Sequence, residues 1–256
     1  MPSLRTDNRA RRLQLIILPP PPGGFYINMR FDIITIFPNF FESFKNEALI
    51  ARAQKKGLVA ISAHNLRDWT TDAHKTVDDK PYGGGVGMVL MVEPIMKAAK
   101  DIKRKSKTKK IKTVVFSPKG KKFNQAMARK FSKLDQIIMI CGRYEGIDER
   151  VSKYIADEEI SIGDYVLFGG EVPAMVIMEA VTRLLPGAIG KQESLKDESF
   201  NEAGIMGQKQ LSKFVEYPHY TRPAIVKING KVGGVPRVLL SGNHKKIDEW
   251  RKGHTK

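Results

Sequence analysis

The feature of this sequence that most constrains its fold is a repeated switch of apolar period between residues 31 and 140. Residues 31–37 are apolar and β-branched, Pro38 closes them, and Phe40, Phe41, Phe44, Leu49 and Ile50 then recur at roughly helical spacing. Residues 59–63 form a second short strand, and residues 66–87, polar and Gly-containing without a period, form a long loop. A helix is predicted over 94–103, a strand over 113–116, a helix over 123–131 and a strand over 136–140. This alternation makes the chain α/β, with a parallel sheet covered by helices and ligands bound where loops leave the carboxyl ends of strands. Three loops converge there: Ser117-Pro118, residues 141–146 and residues 162–170.

Pro173 opens an apolar run to Leu185 that Pro186 and Gly187 close, the start and stop marks of a helix. Beyond it the composition turns polar, so the expected organisation is a main domain at 29–188, a linker at 189–216 and a small C-terminal part at 217–256. Residues 1–28 read as an N-terminal extension without fixed structure. Arg5, Arg9, Arg11 and Arg12 imitate the start of a signal peptide, but prolines 19–22 stand where small residues would mark cleavage. The apolar piece at 13–18 is also far short of the roughly 20 residues that a membrane span takes.

A formal charge of +17, from 44 Lys and Arg against 27 Asp and Glu, attracts polyanions such as nucleic acid. Residues 97–133 carry 15 basic residues and one acidic residue, Asp101. Residues 103–112 read equally as a solvated loop or as an RNA contact. Cys141 is the only cysteine, which fits a reducing compartment, the cytoplasm. None of His64, His74, His219, His244 and His254 has zinc-like spacing to another ligand, so no metal ligand is assigned.

Glycines at 83, 84, 85 and 87 bring backbone N–H groups close to a phosphate or a base, or form a plain turn; the run lacks the Gly-Lys-Ser/Thr ending of a nucleotide loop. Cys141-Gly142-Arg143-Tyr144-Glu145-Gly146-Ile147-Asp148-Glu149-Arg150 places two glycines around a cation, an aromatic and an acid just after a buried strand, a ligand-binding pattern. Cys141 reads as a small buried residue rather than a nucleophile. Ile162-Gly163-Asp164-Tyr165-Val166-Leu167-Phe168-Gly169-Gly170-Glu171 mixes permissive glycines with apolar residues suited to an adenine-sized pocket, or joins a strand to the next helix by a turn.

These residues resemble those of the bacterial tRNA (guanine-N1)-methyltransferases of the SPOUT class. The resemblance runs from Met29 to about Arg251 and includes Phe37-Pro38, Thr76-Val77-Asp78-Asp79-Lys80-Pro81-Tyr82, Ser117-Pro118, the loops above and Thr182-Arg183-Leu184-Leu185-Pro186-Gly187. It implies a SPOUT-type parallel sheet with a deep trefoil knot, a homodimer, a tRNA partner and S-adenosylmethionine as methyl donor. By position, Ser117, Pro118, Gly142, Tyr144, Glu145, Gly146, Ile162, Gly163, Asp164, Tyr165, Val166, Leu167, Gly169, Gly170 and Pro173 would surround the donor.

The implied reaction methylates N1 of the guanosine beside the anticodon. That nitrogen carries a proton at neutral pH, so a base must remove it and a cation must steady the charge developing toward O6. Arg183 matches the family's cation. The family's Asp aligns with Glu198, with Asp197 one residue earlier as the fallback. Arg52, His74, Lys75, Gly84 and Gly85 are the expected substrate contacts. The resemblance also implies magnesium dependence with Glu145 as contributor, and a helical C-terminal part shorter than in relatives. The alternatives are a non-catalytic RNA-binding protein and a methyltransferase acting at another RNA position.

Overall fold

A computed structural model describes residues 29–189, 199–200 and 216–255. Expectations that fall on 1–28, 190–198, 201–215 and 256 lie outside these residues.

The first strand, β1 (Met29–Thr35), gives way at Pro38 to a 3₁₀ turn (Pro38–Phe41), then to α1 (Glu42–Asn46) and α2 (Ala48–Lys55). The single helix expected here is broken, with Glu47 extended and Ala48 in the left-handed region at φ 49°. The break lets Phe41 and Ala53 enter the same core cluster, although a continuous helix would turn them about 120° apart. Next come β2 (Val59–Asn65), a 3₁₀ turn (Leu66–Trp69), and two short strands, β3 (Asp78–Asp79) and β4 (Val89–Leu90), that pair antiparallel within the expected loop region and at its edge. Then follow α3 (Val92–Lys105), β5 (Ile111–Lys122), α4 (Gln125–Phe131), β6 (Gln136–Ile140), α5 (Glu149–Tyr154), β7 (Glu158–Ser161) and α6 (Glu171–Thr182). Side chains cap two of these helices: Asn124 accepts from Met127 N at α4, and Asp148 from Arg150 N at α5.

Five strands form one sheet in the order β2-β1-β6-β5-β7, every neighbouring pair parallel. Every residue of β6 is buried, as a strand covered on both faces requires. Phe31, Ile33, Ile137 and Met139 point to the face packed by Ala174, Ile177, Met178 and Val181 of α6 and by α4. Ile34, Ile138, Ile140 and Val115 point to the other face, packed by Ile95, Ala98, Ala99 and Ile102 of α3.

The strand expected to stop at residue 116 continues to Lys122, with the register shifting so that Phe116 and Lys121 both oppose Ile160. Gly120 allows this: a Cβ there would stand 2.6 Å from the Ile160 nitrogen. Ser117 and Pro118 are thereby pushed out of the ladder at the carboxyl edge.

The C-terminal part is not purely helical, contrary to expectation. It opens with an antiparallel hairpin, β8 (Ile225–Ile228) and β9 (Lys231–Gly234), before α7 (Arg237–Leu240) and α8 (His244–His254). The hairpin turns at Asn229-Gly230, both at positive φ, a two-residue signal that the apolar-period reading passed over.

Candidate functional site

The three loops meet in a cleft of about 200 Å³ at the carboxyl edge of the sheet. Its walls are Phe116, Ser117 and Pro118 from β5, residues 142–146 after β6, Ile160 and Ser161 at the end of β7, residues 162–163 and 165–170 after it, and Pro173 of α6. Every residue expected around a methyl donor lines this cleft except Asp164, whose carboxylate pairs with Lys122 outside it. Arg143, Phe116, Ile160, Ser161 and Phe168 line it as well.

The loops touch backbone to backbone. Gly170 N donates to Gly142 O at 3.0 Å, and a Cβ on Gly170 would stand 2.6 Å from the Cys141 Cα, so only glycine closes this contact. Tyr144 holds φ 60°, a left-handed conformation costly for an aromatic residue and characteristic of ligand sites. The Gly-rich segment is drawn to the same rim: Glu145 N donates to Met88 O at 3.0 Å and Leu90 N to Gly146 O at 3.0 Å. This explains the pairing of β4 beside Ile147.

Charge around the cleft is organised in pairs. Lys119 holds the Glu149 carboxylate below its ordinary range at 2.6 Å, and Glu149 in turn raises Lys119. Arg150 lowers Asp148 in the same way. Cys141 is different: burial pushes its thiol well above the usual value, and the Glu171 charge adds to the effect while Arg143 opposes it. A thiol so held is not a nucleophile.

Apolar side chains beside exposed loop backbone suit an adenosine, so S-adenosylmethionine fits the residues present. Among the described residues no group of three or more His, Cys, Asp or Glu could hold a metal ion. No helix among them is long and apolar enough to cross a membrane.

Other expected residues lie elsewhere. Arg183 caps the carboxyl end of α6, exposed and outside the cleft lining. It stands ten residues beyond Pro173, the last residue of α6 in the cleft wall, about 15 Å of helical rise. Arg52, His74, Lys75, Gly84 and Gly85 are exposed and do not line the cleft. Glu198 and Asp197 lie outside the described residues.

Two residues inside the quoted motifs had no role assigned by sequence: Arg143 and Glu171, which form an ion pair at 2.9 Å beneath the cleft. A signal was present. Glu171 stands three and seven residues before Ala174 and Met178, on the buried stripe of α6, where a carboxylate needs a partner.

The fold and cleft define a parallel-sheet α/β protein with a cleft of about 200 Å³ at the carboxyl edge of its sheet. Residues 29–256 match the family model described as tRNA (Guanine-1)-methyltransferase TrmD, and the chain belongs to that family. It is 51% identical over 224 residues to the tRNA (guanine-N(1)-)-methyltransferase of Carboxydothermus hydrogenoformans, an alignment covering 88% of this chain and 81% of the relative. The Sulfurihydrogenibium protein of the same name is 53% identical over 224 residues, covering 88% and 82%. The Koribacter versatilis one is 47% identical over 236 residues, covering 88% and 86%.

Proposed function

We propose that this chain is a cytoplasmic homodimeric enzyme that methylates N1 of the guanosine beside the anticodon of tRNA, with S-adenosylmethionine as donor. The observation that carries the reading is the convergence of three loops of a family member on one nucleoside-sized cleft. When bound, S-adenosylmethionine supplies a methyl on a positively charged sulfur that departs as a neutral thioether. The cleft residues orient the donor: backbone groups of 142–146 and 162–170 read the base edge, while Val166, Leu167 and Ile160 cover its faces. Glu198, or Asp197, takes the N1 proton, and Arg183 steadies the charge moving toward O6. No step is assigned to magnesium.

Arg183 cannot reach the cleft of its own chain across the length of α6, and the exposed stripe of that helix supports a second copy as its route. Val172 and Val176, 42% and 40% exposed, share this stripe with Arg183, and Phe168 beside it is 94% exposed. A partner covering these side chains brings each Arg183 toward the other subunit's cleft. We infer a trefoil knot in each subunit from the family resemblance, with the tight passages of Gly120 against β7 and Gly170 against Cys141 in keeping with it.

The test is methylation of unmodified tRNA by purified protein with donor and magnesium, followed by mapping of the modified nucleotide. The expected product is N1-methylguanosine beside the anticodon. RNA binding without donor binding overturns the enzyme reading, and a methyl at another nucleotide overturns the position.

A further inference from the structure

Two loops of the cleft and the end of a central strand meet on one buried ion pair. Glu171 has no exposed surface, and both of its carboxylate oxygens are engaged: Thr35 Oγ1 donates to Oε1 at 2.6 Å and Arg143 Nε to Oε2 at 2.9 Å. Thr35 closes β1, Arg143 belongs to the loop after β6, and Glu171 follows the loop after β7. The guanidinium also donates to the Phe168 carbonyl at 3.5 Å and lies over the rings of Phe37 and Phe40, with centroids at 4.8 and 5.7 Å. The loop is tailored to this pair, because a Cβ on Gly169 would stand 2.4 Å from Arg143 Nε.

A buried ion pair is seldom a better filler than apolar side chains of the same volume. What it adds is direction. The planar guanidinium donates along fixed lines, so engaging Glu171 and the Phe168 carbonyl together fixes how the two loops approach. Thr35 anchors the assembly to the end of a central strand.

We propose that Arg143 and Glu171 are a positioning pair that sets the spacing between loops 141–146 and 162–170, and thereby the affinity for the methyl donor. This rests on the donor reading above. Glu171 acts through Arg143, and Arg143 through the loop carbonyl it holds; neither is assigned to the reacting atoms.

The test is calorimetry with S-adenosylmethionine on the full chain, together with separate KM values for donor and tRNA. The variants are Arg143→Lys, Arg143→Met, Glu171→Gln and Arg143→Met combined with Glu171→Gln. Arg143→Met is expected to weaken donor binding about 10–100-fold through misplaced loops, with the tRNA KM unchanged. Arg143→Lys recovers part of the loss, and the double variant is no worse than the worse single one, because both changes remove the same contact. An unaltered chain that binds no donor sinks the donor reading itself. If it binds donor and the variants bind equally well, the positioning pair alone is overturned. The pair is also overturned if Arg143→Lys does no better than Arg143→Met and both KM values rise together with falling melting temperature. Should these variants fail to fold, Thr35→Val decides: losing one hydrogen bond to Glu171 is expected to raise the donor dissociation constant about threefold, and an unchanged constant overturns the pair.

Discussion

Two carboxylates without exposed surface occupy opposite faces of the same sheet, and their partners differ in kind. Asp32, on the α3 face of β1, is held by Arg30 of its own strand at 2.7 Å, by His64 of β2 at 2.7 Å and by Gln136 at the start of β6 at 2.7 Å. Glu171, on the α6 face at the carboxyl edge, takes Arg143 from a loop and Thr35 from a strand end. The partners of Asp32 stand on strands locked in register, so its network ties the sheet to itself. Those of Glu171 stand where the chain leaves the sheet, so the same chemistry sets the shape of a cleft. Burial and charge are alike in the two regions; what a carboxylate does depends on whether its partners could move without it.

The largest expected effect tests whether the carboxyl edge is where chemistry happens. Arg183→Ala should lower turnover on tRNA about 10²–10³-fold while leaving donor binding in place, as removal of a charge-stabilising donor does. Mixing that variant with a Gly170→Val chain, whose own cleft is blocked at Cys141, should restore part of the turnover in mixed dimers. Each mixed dimer then joins one intact cleft to one intact Arg183. No recovery would mean that Arg183 does not serve the cleft of a second copy.

Asp32→Ala should cost about 3 kcal/mol of stability, measured by denaturant unfolding, because it leaves buried Gln136 and half-buried Arg30 without their acceptor. Below its lowered melting temperature, donor affinity should be unchanged. A loss of donor affinity in the folded variant would break the distinction between the two carboxylates.

The same residue gives a signed pH dependence. Burial raises the Asp32 pKa, but hydrogen bonds from His64 and Arg30 outweigh it and hold the group below its ordinary value of 3.8. A carboxyl with a lowered folded-state pKa contributes stability that is fully present above 3.8 and is lost as pH falls through the lower folded value. Melting curves of the unaltered chain should therefore steepen their decline below 3.8, and Asp32→Asn should flatten that part of the profile.

How much of this was legible in the sequence follows from the range of the interactions. β1, β6 and α6 were readable because their apolar patterns record which faces are buried, and the cleft loops because Gly, Tyr and acidic residues cluster after those strands. The break at Ala48, the docking of Met88 on Glu145 and the passage of Gly120 over β7 were not, since each depends on a segment far along the chain arriving at one place. Asp32 was hidden for the same reason: within residues 31–37 it looks like one polar interruption of an apolar strand, and besides neighbouring Arg30 its partners lie 32 and 104 residues away. The Arg183 reading came from family resemblance, and the fold sets that residue at the end of α6 away from the cleft of its own chain.

A third carboxylate sets the lower limit of the comparison. Asp101, on the solvent side of α3, is pushed down to about 2 by Lys105 and Arg104 at 2.7 and 2.9 Å. Its pairs are of the i,i+3 and i,i+4 kind on a helix surface, where water and salt screen the attraction and long side chains lose freedom in making it. Asp101→Asn should therefore change stability by about 0.5 kcal/mol or less despite the depressed pKa. In molar salt that difference should vanish, while the penalty of Asp32→Ala should persist, because buried partners are screened far less than exposed ones. Equal salt sensitivity of the two variants would mean that burial, and not the number of cations, had been given the wrong weight.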